Sequence, residues 1–128
     1  MLSQAEVHAT IPAQDLQRAR SFYEGVLGLK PASVAPGGIF YEVDSGSRFL
    51  VFPSSGRASG GHTQLGFTVG DLEAEVGALR EKGVSFESYD MPQFDTATSI
   101  ATFPGTKSAW FKDTEGNLLG IVQLTDAG

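Results

Sequence analysis

The sequence predicts a mixed α+β fold, one domain over residues 1–128 in which strands outnumber helices. Three observations predict it. Residues 7–16 (VHATIPAQDL) lie without gaps on residues 63–72 (TQLGFTVGDL), so that Asp15-Leu16 falls on Asp71-Leu72. Each copy reads as a short strand leading to a helix, and each helix is followed by runs of strand-like alternation. A chain of 128 residues with 41% hydrophobic and 19% charged side chains is long and apolar enough to bury a real core.

The elements follow in order. Asp15 and Asp71 are N-cap residues, whose carboxylates accept backbone N–H groups of the first helical turn. The first helix, about 16–27, puts Leu16, Ala19, Phe22, Tyr23, Val26 and Leu27 on one face, and Gly28 ends it. Two strands, 39–43 and 47–52, flank a turn at 44–47. Residues 53–61 (PSSGRASGG) form a connector. The second helix, about 72–82, turns Leu72, Val76 and Leu79 inward, with acidic residues early and basic residues late, as the helix dipole favours. Strands are expected at 84–89, 108–112 and 117–124, with a hairpin turn at Asp113–Gly116 and a long irregular excursion at 90–107. Each half thus reads β-α-β-β with room for one more short strand, over residues 1–56 and 62–126.

Composition narrows the function. A net charge of −6 repels phosphate backbones, so no nucleic acid is expected as a partner. No basic amphipathic stretch and no long apolar run point to a membrane, and the first residues lack the pattern of a signal peptide. With no cysteine, disulfides, thiolate metal sites and a cysteine nucleophile are excluded, and a cytoplasmic location is expected.

The order of His8, Asp15-Leu16, Phe22-Tyr23, Leu27-Gly28-Leu29, Asp71-Leu72, Gly83-Val84, Trp110-Phe111 and Asp113-Thr114-Glu115-Gly116-Asn117 resembles the vicinal-oxygen-chelate superfamily, the glyoxalase / bleomycin-resistance / extradiol-dioxygenase group. The likeness covers almost the whole chain. It implies two βαβββ modules forming a curled mixed sheet with a concave cleft and the helices outside, and a homodimer. It leaves function open, because the superfamily holds metal-dependent isomerases, lyases and dioxygenases as well as metal-free antibiotic-binding proteins.

The resemblance also implies where a metal would sit: on His, Gln or Glu from the first and last strand of each module. The first-strand positions are His8 and Gln64, each seven residues before its aspartate. His62 falls two residues early and reads as an exposed loop histidine. The closing strands offer Arg48, Leu50 and Phe52 on one face and Leu118, Gly120 and Val122 on the other module's face. The family's carboxylate position corresponds to Gly120, and no acidic residue occurs from Asn117 to Leu124. No metal and no other cofactor is therefore expected, although a quartet drawing on Glu6 or Glu42 stays open.

Strand alternation assigns Val7, Ala9, Ile11, Leu65, Phe67 and Val69 to the core, and Glu6, His8, Thr10, Gln64, Gly66 and Thr68 to the cleft. Phe52, Trp110 and either Phe40 or Tyr41 add aromatic surface there. The expected ligand contacts are His8, Gln64, Phe52, Glu6 and Trp110, with residues 90–103 closing over them and Gly120 enlarging the space. The reading is a binding protein for a small, partly aromatic molecule. The alternative is a lyase or isomerase of the lactoylglutathione-lyase-like branch, using either an unusual metal set or His8 as a metal-free base. A third is a dimer whose cleft retains no chemistry.

Overall fold

The structure, a computed structural model, describes residues 1–125. The end expected for the second unit, residue 126, lies outside the described residues. Among the described residues nine strands form two open mixed sheets. In the first sheet β1 (Ala9–Ala13), β2 (Lys30–Ala35), β3 (Gly38–Glu42) and β4 (Arg48–Pro53) stand in the order β1-β4-β3-β2. The second sheet contains β5 (Thr63–Thr68), β6 (Phe94–Asp95), β7 (Ile100–Phe103), β8 (Thr106–Lys112) and β9 (Leu118–Leu124), in the order β5-β9-β8-β7-β6. In both sheets the first strand lies parallel to the last, and the other pairs are antiparallel. The sequence repeat is thus a repeat of topology.

Both helix starts are capped as expected. The Asp15 carboxylate accepts from Arg18 N and that of Asp71 from Ala74 N. Helix α1 (Leu16–Arg20) continues without a break as a π-helical turn, Ser21–Val26, and Gly28 leaves it at φ 72°. Helix α2 (Leu72–Glu81) buries Leu72 and Val76. Ile11, Tyr23, Tyr41, Phe49, Val51, Phe111, Leu119 and Ile121 belong to a single core that draws on both sheets and both helices. Tyr23 stacks on Tyr41 at 5.7 Å, and Phe49 of β4 meets Phe67 of β5 edge-on at 6.2 Å.

Long-range polar ties join the halves. The Tyr23 hydroxyl donates to Asp113 at 2.6 Å, Asn117 Nδ2 donates to the Pro12 carbonyl at 3.0 Å, and Arg18 forks onto Glu115 at 2.7 and 3.1 Å. Asp113 also accepts the backbone N–H groups of Glu115 and Asn117, which folds the hairpin turn, and Gly116 takes φ 86° there.

Three expectations are corrected. Residues 84–89 form no strand: β7 covers one half of the β8 edge at 106–108, and the other half is met only by a single bridge from Phe86 to Phe111 and by Glu87 N donating to the Trp110 carbonyl. The excursion at 90–107 is not irregular but holds the β6–β7 hairpin and the start of β8. Val7 is not core; it is 91% exposed, because β1 starts only at Ala9, where its ladder with Phe49 begins. No helix among the described residues is long and apolar enough to cross a membrane.

Candidate functional site

The ladders decide which side chains share a face. On β3 and β4, Ile39, Tyr41, Phe49 and Val51 enter the core, which leaves Phe40, Glu42, Arg48, Leu50 and Phe52 on the opposite face. Phe40, rather than Tyr41, is therefore the aromatic of that face. A groove of about 840 Å³ opens there, lined by Glu6, His8, Phe40, Glu42, Ser47 and Arg48 among others. The His8 ring meets Phe40 edge-on at 5.0 Å, and Arg48 Nε donates to Glu42 at 2.7 Å. His8 has no hydrogen-bond partner among the described residues.

Of the five expected contacts, the structure brings Glu6 and His8 together in this groove. Phe52 lies half-buried on the same face of β4 but does not line it. Gln64 is turned to the seam between the sheets, where its Nε2 donates to the Thr10 carbonyl at 3.3 Å. Trp110 lies on the corresponding face of the second sheet and donates from Nε1 to Thr63 Oγ1 at 3.2 Å. Thr63 reaches it because the β5–β9 register slips between Thr63 and Leu65. Tyr89 stands edge-on to both Trp110 and Phe94, each at about 5.5 to 5.7 Å, so this sheet has an aromatic cluster of its own.

Two expectations about this region change. Gly120 does not enlarge a cleft. A Cβ built on it would lie 3.2 Å from Thr63 Cγ2 and 3.3 Å from Trp110 Cδ1 and Nε1, so the indole already fills the space. Residues 90–103 are not poised as a cover. Phe94 and Ile100 are buried on opposite faces of the sheet that this segment extends, so its apolar groups need no ligand. Arg48, expected on the Phe52 face, and Glu42, left open as a possible metal ligand, were not among the expected ligand contacts, yet they line the groove as an ion pair.

The divalent metal of many superfamily members does not fit these residues. Beside His8 and Gln64 the closing strands present a guanidinium and hydrocarbon, and Gly120 has Trp110 packed on it. Among the described residues no three His, Asp or Glu side chains cluster as metal ligands would.

A βαβββ unit and a second unit of the same topology extended by the short strand β6, with a polar, aromatic-floored groove on a sheet face away from the core, define a glyoxalase-like fold. The sequence pattern of the Glyoxalase/Bleomycin resistance protein/Dioxygenase superfamily matches residues 7–121, and the chain belongs to that superfamily. Similar solved structures include a glyoxalase/bleomycin resistance protein/dioxygenase from Alicyclobacillus acidocaldarius. It has a TM-score of 0.71 at 23% identity, with 96% of this chain and 93% of that one covered. TnmS3, an antibiotic binding protein from Streptomyces sp. CB03234, gives 0.69 at 21% identity, covering 95% and 99%. The fosfomycin resistance protein FosX from Listeria monocytogenes gives 0.71 at 13%, covering 95% and 93%. These likenesses are of fold. No curated protein matches the chain by sequence.

Proposed function

We propose that the protein binds a small, partly aromatic organic molecule against the face that carries His8 and Phe40, without a metal. The observation that carries this reading is Trp110 packed on Gly120. The position that would supply a carboxylate to a cation is instead closed by an indole, while the groove at His8 remains open, polar and floored by an aromatic ring. Antibiotic binding by TnmS3, on the same fold, is consistent with it. The enzymatic alternative has less support, because among the described residues no side chain hydrogen-bonds the His8 imidazole to orient it as a base. Glu6, Phe40 and the Arg48–Glu42 pair supply the contacts nearest His8; Gln64, Phe52 and Trp110 extend the surface. A homodimer in the cytoplasm is part of the same reading. The exposed edge strand β2, open along its whole length, is a surface that a second copy would cover.

Trp110 is the only tryptophan, so its fluorescence reports on this side of the fold. Titration with a panel of flat aromatic compounds should give saturable changes that His8→Ala and Phe40→Ala weaken at least five-fold. Stoichiometric metal retained after reloading with nickel, zinc, iron or manganese and dialysis would overturn the proposal.

A further inference from the structure

A second cavity opens on the helix side of the second sheet. It has a volume of about 180 Å³ and is lined by Leu27, Leu29, Phe67, Val69, Glu75, Leu79, Phe111 and Ile121. Strand alternation separates it from the opposite face of that sheet. Phe111 and Ile121 line it, while their neighbours Trp110 and Gly120 pack together on the other face. The cavity therefore lies on the core side of the second sheet, whereas the proposed ligand groove lies on the first sheet, on its face away from the core.

Its walls are unusual for a core. Leu27, Leu29, Phe67, Val69 and Leu79 are packed against the buried cluster yet each remains only partly buried. They frame a recess rather than fill it, between the end of the first helical segment and α2. The size is close to that of a Leu/Ile/Phe-lined cavity of about 150 Å³ that stays dry and takes up benzene. One side chain breaks the apolar lining. Glu75, on the first turns of α2, is exposed and makes no ion pair or side-chain hydrogen bond among the described residues. Its neighbour Glu73 is by contrast engaged by Lys107 at 2.9 Å.

We infer that this recess is a second binding site, for a single-ring aromatic molecule bearing a short ammonium arm. The ring enters among Leu29, Leu79, Phe67 and Phe111, and the ammonium stays at the mouth beside the Glu75 carboxylate. Shape and apolar burial select the ring; the solvent-exposed charge pair selects the arm. Nothing in this site depends on the reading of the His8 groove.

The test uses 2-phenylethylammonium and its neutral analogue ethylbenzene, with affinities and backbone amide shifts read by NMR on the intact protein. The ammonium compound should saturate, shift amides around Leu29, Val69 and Leu79, and bind at least three-fold tighter than ethylbenzene. Glu75→Gln should erase that preference while leaving ethylbenzene binding unchanged. Leu79→Trp, which fills the recess, should weaken both at least ten-fold, whereas His8→Ala should leave both unchanged. Binding that survives Leu79→Trp in a protein with wild-type melting behaviour would overturn the site. So would shifts confined to the His8 face, or no saturation below millimolar concentrations. Should Leu79→Trp fail to fold, Leu29→Phe serves the same purpose from the opposite wall. Equal affinity for the two compounds in the wild type would overturn the ammonium class.

Discussion

Trp110 lies directly opposite Gly120 across the β8–β9 ladder, and its indole takes up the room a side chain there would need. Restoring a carboxylate at this position should therefore not restore a metal site. Gly120→Glu is expected to destabilise the fold by about 1–3 kcal/mol through overpacking, with no gain of bound zinc or nickel by elemental analysis. Adding Trp110→Ala should recover part of the loss. A variant that melts like the wild type and holds one metal per chain would contradict this.

Aromatics on β8 and β3 should respond differently to truncation. Phe111 is 1% exposed within the core, so Phe111→Ala is expected to cost about 3–5 kcal/mol. Phe40 is half-buried with one side on the groove, so Phe40→Ala should cost about 1 kcal/mol. Urea unfolding of the two variants gives the comparison. A larger loss at Phe40 would place it in the core and remove the floor of the groove.

Acid should loosen the tie between the halves at Glu115. Its carboxyl is held down to about 2, chiefly by the Arg18 guanidinium with help from the Asp15 N–H and Thr114. A depressed carboxyl contributes stability that is complete above its unfolded value near 4.5 and disappears as pH falls through the folded value. Thermal melts between about pH 4.5 and 2 should show a decline that Glu115→Gln flattens. Parallel curves for the two proteins would exclude the tie as its source.

Alkali should act through the tyrosines. Burial, and then the Asp113 carboxylate, pushes the Tyr23 hydroxyl up; burial and Glu24 do the same to Tyr41; burial and Glu87 raise Tyr89. A raised group contributes stability that is complete below its unfolded value near 10 and is lost as pH climbs above it. Absorbance at 295 nm should thus stay nearly flat through pH 10 and rise together with loss of near-UV circular dichroism. Early titration of two tyrosines in the folded protein would refute this.

The parts of the fold legible in the sequence were those with a strong local signal. The Asp15 and Asp71 caps, the helix stops at Gly28 and Gly83, and the turn at Gly116 each follow from one residue's backbone chemistry. Strand β2 was less visible: KPASVA carries a proline and only scattered apolar groups, and every one of its residues is exposed, so no burial pattern was imposed on it. Residues 100–103 read as part of a loop because Pro92, Pro104 and Gly105 surround them, yet the unmatched edge of β8 recruits them. For the candidate site, parity grouped Trp110 with Ser108 and Lys112 but left Phe40 and Tyr41 as alternatives, between which the β3–β4 ladder decides. It could not reveal that Trp110 folds over Gly120, because that contact depends on the register between two strands and on the slip at Thr63.

The ties that close the molecule span nearly its whole length in sequence. Tyr23 reaches 90 residues ahead to Asp113, Arg18 reaches 97 to Glu115, and Asn117 reaches 105 back to Pro12. A chain synthesised from its first residue therefore exposes α1 and β1 long before the groups that finish them exist. Closing such loops costs entropy that purely local turns do not. The hairpin at Asp113–Asn117 can form early by itself and then capture the waiting helix. Tyr23→Phe is accordingly expected to speed unfolding while leaving the folding rate nearly unchanged, and stopped-flow kinetics showing mainly slower folding would instead place this contact in the nucleus.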